Sequence, residues 1–194
     1  MRVGLLGGSF NPAHEGHLHI SRLALASLGL DQVWWLVSPQ NVLKPTAGMA
    51  PFAERVESAR RLIHDPRIRI SLFEAGQRSR YTIDTIRALR RRFPQVRFVW
   101  LMGADNLLQL PHWKLWQRIF NALPIAVFAR PTYSYRALSG QAAHRFRRYR
   151  RRREGVAVLA GQQPPAWAFL HLRESPLSAT DLRLNRHSGR RRTP

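Results

Sequence analysis

Short apolar runs rich in β-branched and aromatic residues alternate along this chain with stretches whose apolar residues recur every three or four positions, and few architectures accommodate that alternation. The runs are Arg2 to Leu6, Val33 to Val37, Ile68 to Phe73, Arg97 to Met102, Ile125 to Phe128 and Ala168 to Leu172. Each reads as a buried strand. The intervening stretches, His17 to Leu28, Pro51 to Ile63, Thr82 to Phe93 and Trp113 to Leu123, read as helices. Gly29 is placed to stop the first, Pro51 to start the second, and Pro94 follows the third. Strands separated by helical crossovers pair in parallel, so the expected fold class is α/β: a Rossmann-like open parallel sheet with helices on both faces. Ligands in such sheets bind beyond the carboxyl ends of the strands, which directs attention to the loops after the first, second and fourth runs. A further helix is expected from Leu138 to Glu154. Residues 1–187 are expected to form one domain, with 188–194 a frayed basic tail.

Composition removes several chemistries. The chain has no cysteine, so thiolate nucleophiles, disulfides and cysteine-ligated metals are excluded, as suits a reducing cytosol. No apolar run approaches bilayer-spanning length, and the N-terminal segment carries Asn, Pro and His where an export signal would have a small-residue cleavage site. A cytoplasmic protein without membrane association is expected. Against 11 acidic residues stand 32 Lys and Arg, a formal charge of +21, whose field draws in anions such as polyphosphates or nucleic acid. Much of the excess lies in Arg145 to Arg153 and in Arg183 to Arg192. The first cluster reads as a charged helix face rather than a nucleic-acid contact, although interleaved Phe146 and Tyr149 keep an arginine-rich RNA-binding protein as the rival from another class.

Directly after the first strand comes GGSFNPAHEGH, Gly7 to His17. Gly7 and Gly8 lack a Cβ, which lets the backbone turn sharply and approach an anion, while Ser9 and Asn11 offer short polar contacts and Pro12 stiffens the turn. His14 and His17, three apart at a helix start, share one face near the positive end of the helix dipole. Donors placed there stabilise charge on a phosphoryl group in transfer. The string is neither a Walker loop nor the G-x-G-x-x-G dinucleotide fingerprint. His19 should point elsewhere.

These residues resemble the H-x-G-H nucleotidyltransferase superfamily, and GGSFNPAHEGHL is similar in particular to the bacterial nicotinate-nucleotide adenylyltransferases. The resemblance is essentially full length, weakest from Thr132 to Gln163, and implies that the 1–187 domain is a nucleotidyltransferase. It implies that Gly7, Gly8, Ser9, Phe10, Asn11, His14 and His17 bind ATP, and that Ser9 and Asn11 also meet the second substrate. Lys44 in SPQNVLKP matches a phosphate-holding residue of the family's substrate loop. Thr82 and Asp84 in RYTIDTI match the segment that closes on nicotinate; in the plainer alternative, Thr82 caps a helix and Asp84 favours its first turn. In MGADNLLQLPHWKLW, Asp105 matches a contact to the nucleotide's ribose or adjoining amides and Trp113 the aromatic that packs on the nicotinate ring, whereas Trp116 reads as core. SPLSATDLR is similar to the family's I-S-S-T-x-I-R, giving Ser178, Thr180 and Arg183 to ATP, with Ala179 a departure. Ser178 and Asp181 also form a capping box whose helix would offer free amides to the triphosphate.

The resemblance further implies in-line attack of a mononucleotide phosphate on the α-phosphorus of ATP, without a covalent enzyme intermediate, His14, His17, Lys44 and Arg183 forming the catalytic set. The implied partners are ATP and nicotinic acid mononucleotide. Mg²⁺ is expected to arrive with ATP, the acidic residues being too few for a dedicated metal cage. Within the superfamily the rival is another adenylyltransferase, such as phosphopantetheine adenylyltransferase. The number of subunits is left open.

Overall fold

The computed structural model describes residues 1–39, 48–76, 81–152 and 155–170. Seven strands form one sheet: β1 (Arg2–Gly8), β2 (Gln32–Val37), β3 (Ile68–Ser71), β4 (Arg97–Gly103), β5 (Ile125–Phe128), β6 (Arg150–Arg151) and β7 (Trp167–Leu170). Their spatial order is β3-β2-β1-β4-β5-β7-β6, and every pairing is parallel. The expected α/β class is therefore observed. From β1 the chain winds outward through β2 to β3 and then returns to place β4 on the other flank of β1. Such a reversal opens a crevice beyond the carboxyl ends of the two strands, here β1 and β4.

The crossovers are α1 (Glu15–Ser27), α2 (Phe52–Leu62) and α3 (Thr82–Arg92), with α4 (Ala104–Gln109) and α5 (Trp116–Ala122) between β4 and β5. Side chains alternate across a strand, so neighbouring residues feed different cores. Val3, Leu5, Leu36 and Trp100 pack with Ile83, Ile86 and Leu89 of α3 and Ile119 and Phe120 of α5. Leu6, Trp35, Val99 and Leu101 pack with Leu18, Ala24 and Leu25 of α1 and Val56 and Ala59 of α2. Helices thus cover both faces. Gly29 ends α1 as expected, its φ of 55° lying in the left-handed region that closes helix C-termini.

The helix expected from Leu138 to Glu154 is not one helix. The segment breaks into the end of α6 (Ser134–Leu138), α7 (Gln141–Arg145), a 3₁₀ turn over Arg147–Tyr149, and β6. Gly140 interrupts the helical path, and Phe146 is drawn inward to stack on Phe120 with centroids 4.0 Å apart. Its carbonyl accepts the Trp167 indole N–H at 2.8 Å, which anchors the chain beside β7. Arg150 then lies over the rings of Trp167 and Phe169, so part of the basic cluster is a sheet edge rather than a helix face. Two smaller differences concern ends: β3 stops at Ser71, and α5 begins at Trp116, since Trp113 terminates the 3₁₀ turn Leu110–His112. Glu154, the boundary at residue 187 and the tail at 188–194 lie outside the described residues. Among the described residues no helix is long and apolar enough to cross a membrane.

Candidate active site

Beyond β1 the chain makes a tight turn into α1. The residue that turns is Phe10, with φ at 46°, whereas Gly7 and Gly8 remain in the extended strand. The expected glycine turn is thus corrected. What Gly7 accommodates is a ring: a Cβ there would lie 2.8 Å from the Trp100 indole. The strained Phe10 backbone is held by its side chain, which is 1% exposed and stacked on Trp35 at 4.9 Å.

His14 is the N-cap of α1, and the two histidines cap each other's turn. The Gly16 N–H donates to His14 Nδ1 at 3.1 Å, and the His14 N–H donates to His17 Nδ1 at 3.2 Å. The His14 and His17 ring centroids lie 3.9 Å apart. This geometry fixes the tautomer. A ring whose Nδ1 accepts a backbone N–H carries its proton on Nε2 when neutral. Both imidazoles therefore present Nε2–H donors. Behind His17, Phe10 and Trp35 pack at 4.6 and 5.7 Å between centroids. The Ser21 hydroxyl, donating to the His17 carbonyl, also accepts the Trp35 indole N–H.

Asn11 is 8% exposed and occupied by the chain beyond the second strand: its Nδ2 donates to Gly48 O and its Oδ1 accepts the Ala50 N–H, both at 3.1 Å. Ser9 contributes its carbonyl to Arg55, a residue not singled out in the sequence. Arg55 is 2% exposed and donates to the carbonyls of Ser9, Ser38, Pro39 and Ala50. Burial pulls its pKa below the ordinary arginine value. In sequence it is one arginine among several in an amphipathic helix, with no feature to separate it from exposed Arg60 and Arg61.

Across the crevice, α3 begins at Thr82 with Tyr81 in the cap position and no side-chain cap. Thr82 is accordingly the first helical residue rather than the cap. Asp84 sits in the first turn and faces Arg87 at 3.6 Å. Lys114 lies over the Tyr81 ring, 4.1 Å from its centroid, tying the start of α3 to the turn bearing Trp113. Trp113 meets Trp100 edge-on with centroids 6.5 Å apart, whereas Trp116 is buried in the core as expected. Trp100, Trp113 and the start of α3 thus pack together on one face of the sheet, and His17 packs against Phe10 and Trp35, which belong to the core on the other.

Asp105 sits in the first turn of α4 but caps nothing. Its Oδ2 pairs with Arg130 at 2.7 Å, and its Oδ1 is buried without a partner among the described residues. A Cβ on Gly103 would approach that oxygen to 2.5 Å, so only glycine lets the carboxylate fold back here. Glu74, in the 3₁₀ turn Phe73–Gly76 after β3, was likewise missed. Burial pushes its carboxyl up to about 7 against the opposing pull of the Thr85 and Ser38 hydroxyls. Lys44, Ser178, Thr180 and Arg183 lie outside the described residues.

Paired imidazoles at the start of the first helix, beyond the central strand of a parallel sheet, are the arrangement that the resemblance to the nucleotidyltransferase class implies. A family profile described as Cytidylyltransferase-like matches residues 5–185, and the chain belongs to that family. Among its relatives, a Parvibaculum lavamentivorans protein named probable nicotinate-nucleotide adenylyltransferase is 55% identical over 94% of this chain and 91% of its own. A Methylorubrum extorquens protein of the same name is 52% identical over 94% and 99%. The Plasmodium falciparum nicotinic acid mononucleotide adenylyltransferase complexed with NaAD shares the fold with a TM-score of 0.72, at 13% identity, over 94% of this chain and 82% of that one.

Proposed function

We infer that this protein transfers the adenylyl group of ATP to nicotinic acid mononucleotide, giving deamido-NAD and pyrophosphate. The observation that carries the chemistry is the reciprocal histidine cap, which engages both Nδ1 atoms with backbone N–H groups and so directs two Nε2–H donors from the N-terminus of α1. The substrate follows from the name borne by relatives that match nearly the whole chain. In the reaction an oxygen of the mononucleotide phosphate forms a bond to the α-phosphorus as the bond from that phosphorus to the pyrophosphate oxygen breaks. The attacking oxygen is already ionised, so no general base is required and the work is alignment and charge stabilisation.

His17 and His14 donate to phosphate oxygens of ATP as charge moves onto the leaving group. Lys44 and Arg183 hold phosphates, and Ser178 and Thr180 meet ATP at the segment before Arg183. The backbone from Gly7 to Asn11 forms the floor of the phosphate site. Asn11 holds residues 48–50 through both ends of its amide and, with Ser9, contacts ATP and the mononucleotide. The spare Oδ1 of Asp105 suits a ribose hydroxyl. The Trp113 face, beside the start of α3 with Thr82 and Asp84, takes the nicotinate ring and its carboxylate. Mg²⁺ is proposed to arrive as part of MgATP; among the described residues no group of three or more His, Cys, Asp or Glu side chains could hold a metal ion. The proposed location is the cytoplasm.

The test offers purified protein MgATP with nicotinic acid mononucleotide, nicotinamide mononucleotide or phosphopantetheine in turn and follows pyrophosphate. Preferred turnover of the nicotinate form is expected. Preference for the amide would overturn the substrate, and turnover of phosphopantetheine alone would assign the chain to the rival within the superfamily.

A further inference from the structure

Ser38, the first residue past β2, is held from three directions. Its N–H donates to Gly8 O at 2.9 Å, its carbonyl accepts Arg55 Nη1 at 2.8 Å, and its hydroxyl meets the carboxyl of Glu74, which also meets Thr85 of α3. Arg55 extends the same junction. From α2 it reaches Ser9 O at 2.5 Å in the phosphate loop, Pro39 O at 2.8 Å where the chain leaves β2, and Ala50 O at 3.0 Å where it returns. Asn11 grips that return a second time.

A cation this deeply buried is costly when its partners are neutral carbonyls, and among the described residues no carboxylate pairs with it. Mere packing of α2 would be served better by an apolar side chain. What only arginine supplies is a rigid fork of donors able to hold several carbonyls at fixed separations. Those carbonyls belong to the turn leading into the two histidines and to both ends of the segment that carries Lys44.

We propose that Arg55 is a positioning residue for adenylyl transfer, setting the separation between the phosphate loop at Ser9 and the two ends of the Lys44-bearing segment, with Ser38 linking this frame through Glu74 to α3. The inference rests on the function proposed above. Arg55 touches no substrate; it acts through Ser9, Ser38, Pro39 and Ala50. Because a misplacement of about 1 Å can cost on the order of a hundredfold in rate, the phenotype falls on turnover rather than on nucleotide affinity.

The experiment compares wild type, Arg55→Lys and Ser38→Ala, with folding checked by circular dichroism and assays run well below each melting temperature. A lysine keeps the charge but cannot span four carbonyls. Arg55→Lys is expected to lower kcat at least tenfold while the Kd for MgATP stays within threefold. Ser38→Ala, which removes only the hydroxyl link, is expected to lower kcat about threefold with an unchanged melting temperature. Amide exchange at Ser38 and Ala50 should quicken in Arg55→Lys. A folded Arg55→Lys with wild-type kcat, however low its melting temperature, overturns the proposal. If Arg55→Lys does not fold, wild-type kcat in Ser38→Ala overturns it and reduced kcat upholds it. Should the wild type release no pyrophosphate, the function fails, and amide exchange at the two sites still decides whether the clamp exists.

Discussion

Replacing Glu74 by glutamine should flatten the dependence of stability on pH across neutrality. The carboxyl is half-buried, its desolvation opposed by the Thr85 and Ser38 hydroxyls, and its pKa stands at about 7 against an ordinary 4.5. The folded protein therefore binds this proton more tightly than the unfolded chain does. Between those two values unfolding releases a proton, so stability from this group is fully present below pH 4.5 and is lost as pH rises through about 7. The complete difference is on the order of 3 kcal/mol, and the portion falling between about pH 5.5 and 8 is roughly 2 kcal/mol. For a chain of this size that portion corresponds to a shift of about 4–8 °C in Tm. Glutamine imitates the neutral acid and does not titrate. Melting curves of wild type and Glu74→Gln at several pH values, compared as differences so that other titrating groups cancel, should converge near pH 5.5 and separate toward pH 8, with the variant more stable there. Parallel curves would refute the burial of an ionisable carboxyl at this position.

Other perturbations probe the remaining elements. His17→Ala should lower kcat by about 10²- to 10³-fold through loss of one preorganised donor and reduce stability by ~1 kcal/mol through loss of the reciprocal cap; steady-state pyrophosphate release and thermal melts measure the two separately. Gly7→Ala, which sets a methyl against the Trp100 ring, should cost about 1–3 kcal/mol in denaturant unfolding, and an unchanged midpoint would contradict the close approach of ring and backbone. Trp113→Ala should raise KM for the mononucleotide more than KM for ATP, since its edge-on contact with Trp100 places it on the α3 side of the crevice; equal effects on both would remove it from the nicotinate site.

Much of the architecture can be read from pattern because strands buried on both faces are nearly continuous apolar runs, and few other elements look like that. The histidine site was legible for a related reason: its geometry is local. His14, Gly16 and His17 make their hydrogen bonds within one helical turn, so spacing alone implies proximity. Local signals misled where a distant partner intervened. The segment after Leu138 has helical composition, yet Phe120 and Trp167 claim Phe146 and the chain turns to join the sheet edge. Thr82 looks like a cap, yet Tyr81 takes that position.

A one-dimensional string thus suffices for the alternation of strand and helix, for the parallel sheet it implies, and for the paired imidazoles, since all three depend on periodicity or on contacts within a few residues. The role of a charged side chain depends instead on which neighbours exclude water from it, and those neighbours come from remote parts of the chain. Arg55 meets carbonyls up to 46 positions away, Asp105 pairs 25 positions away with Arg130, and Glu74 is desolvated between β2 and α3. Nothing in the residues flanking Arg55 and Glu74 distinguishes them from solvated charges, and the motif around Asp105 does not reveal its Arg130 partner, because desolvation is a property of the packed molecule and not of the segment that carries the charge.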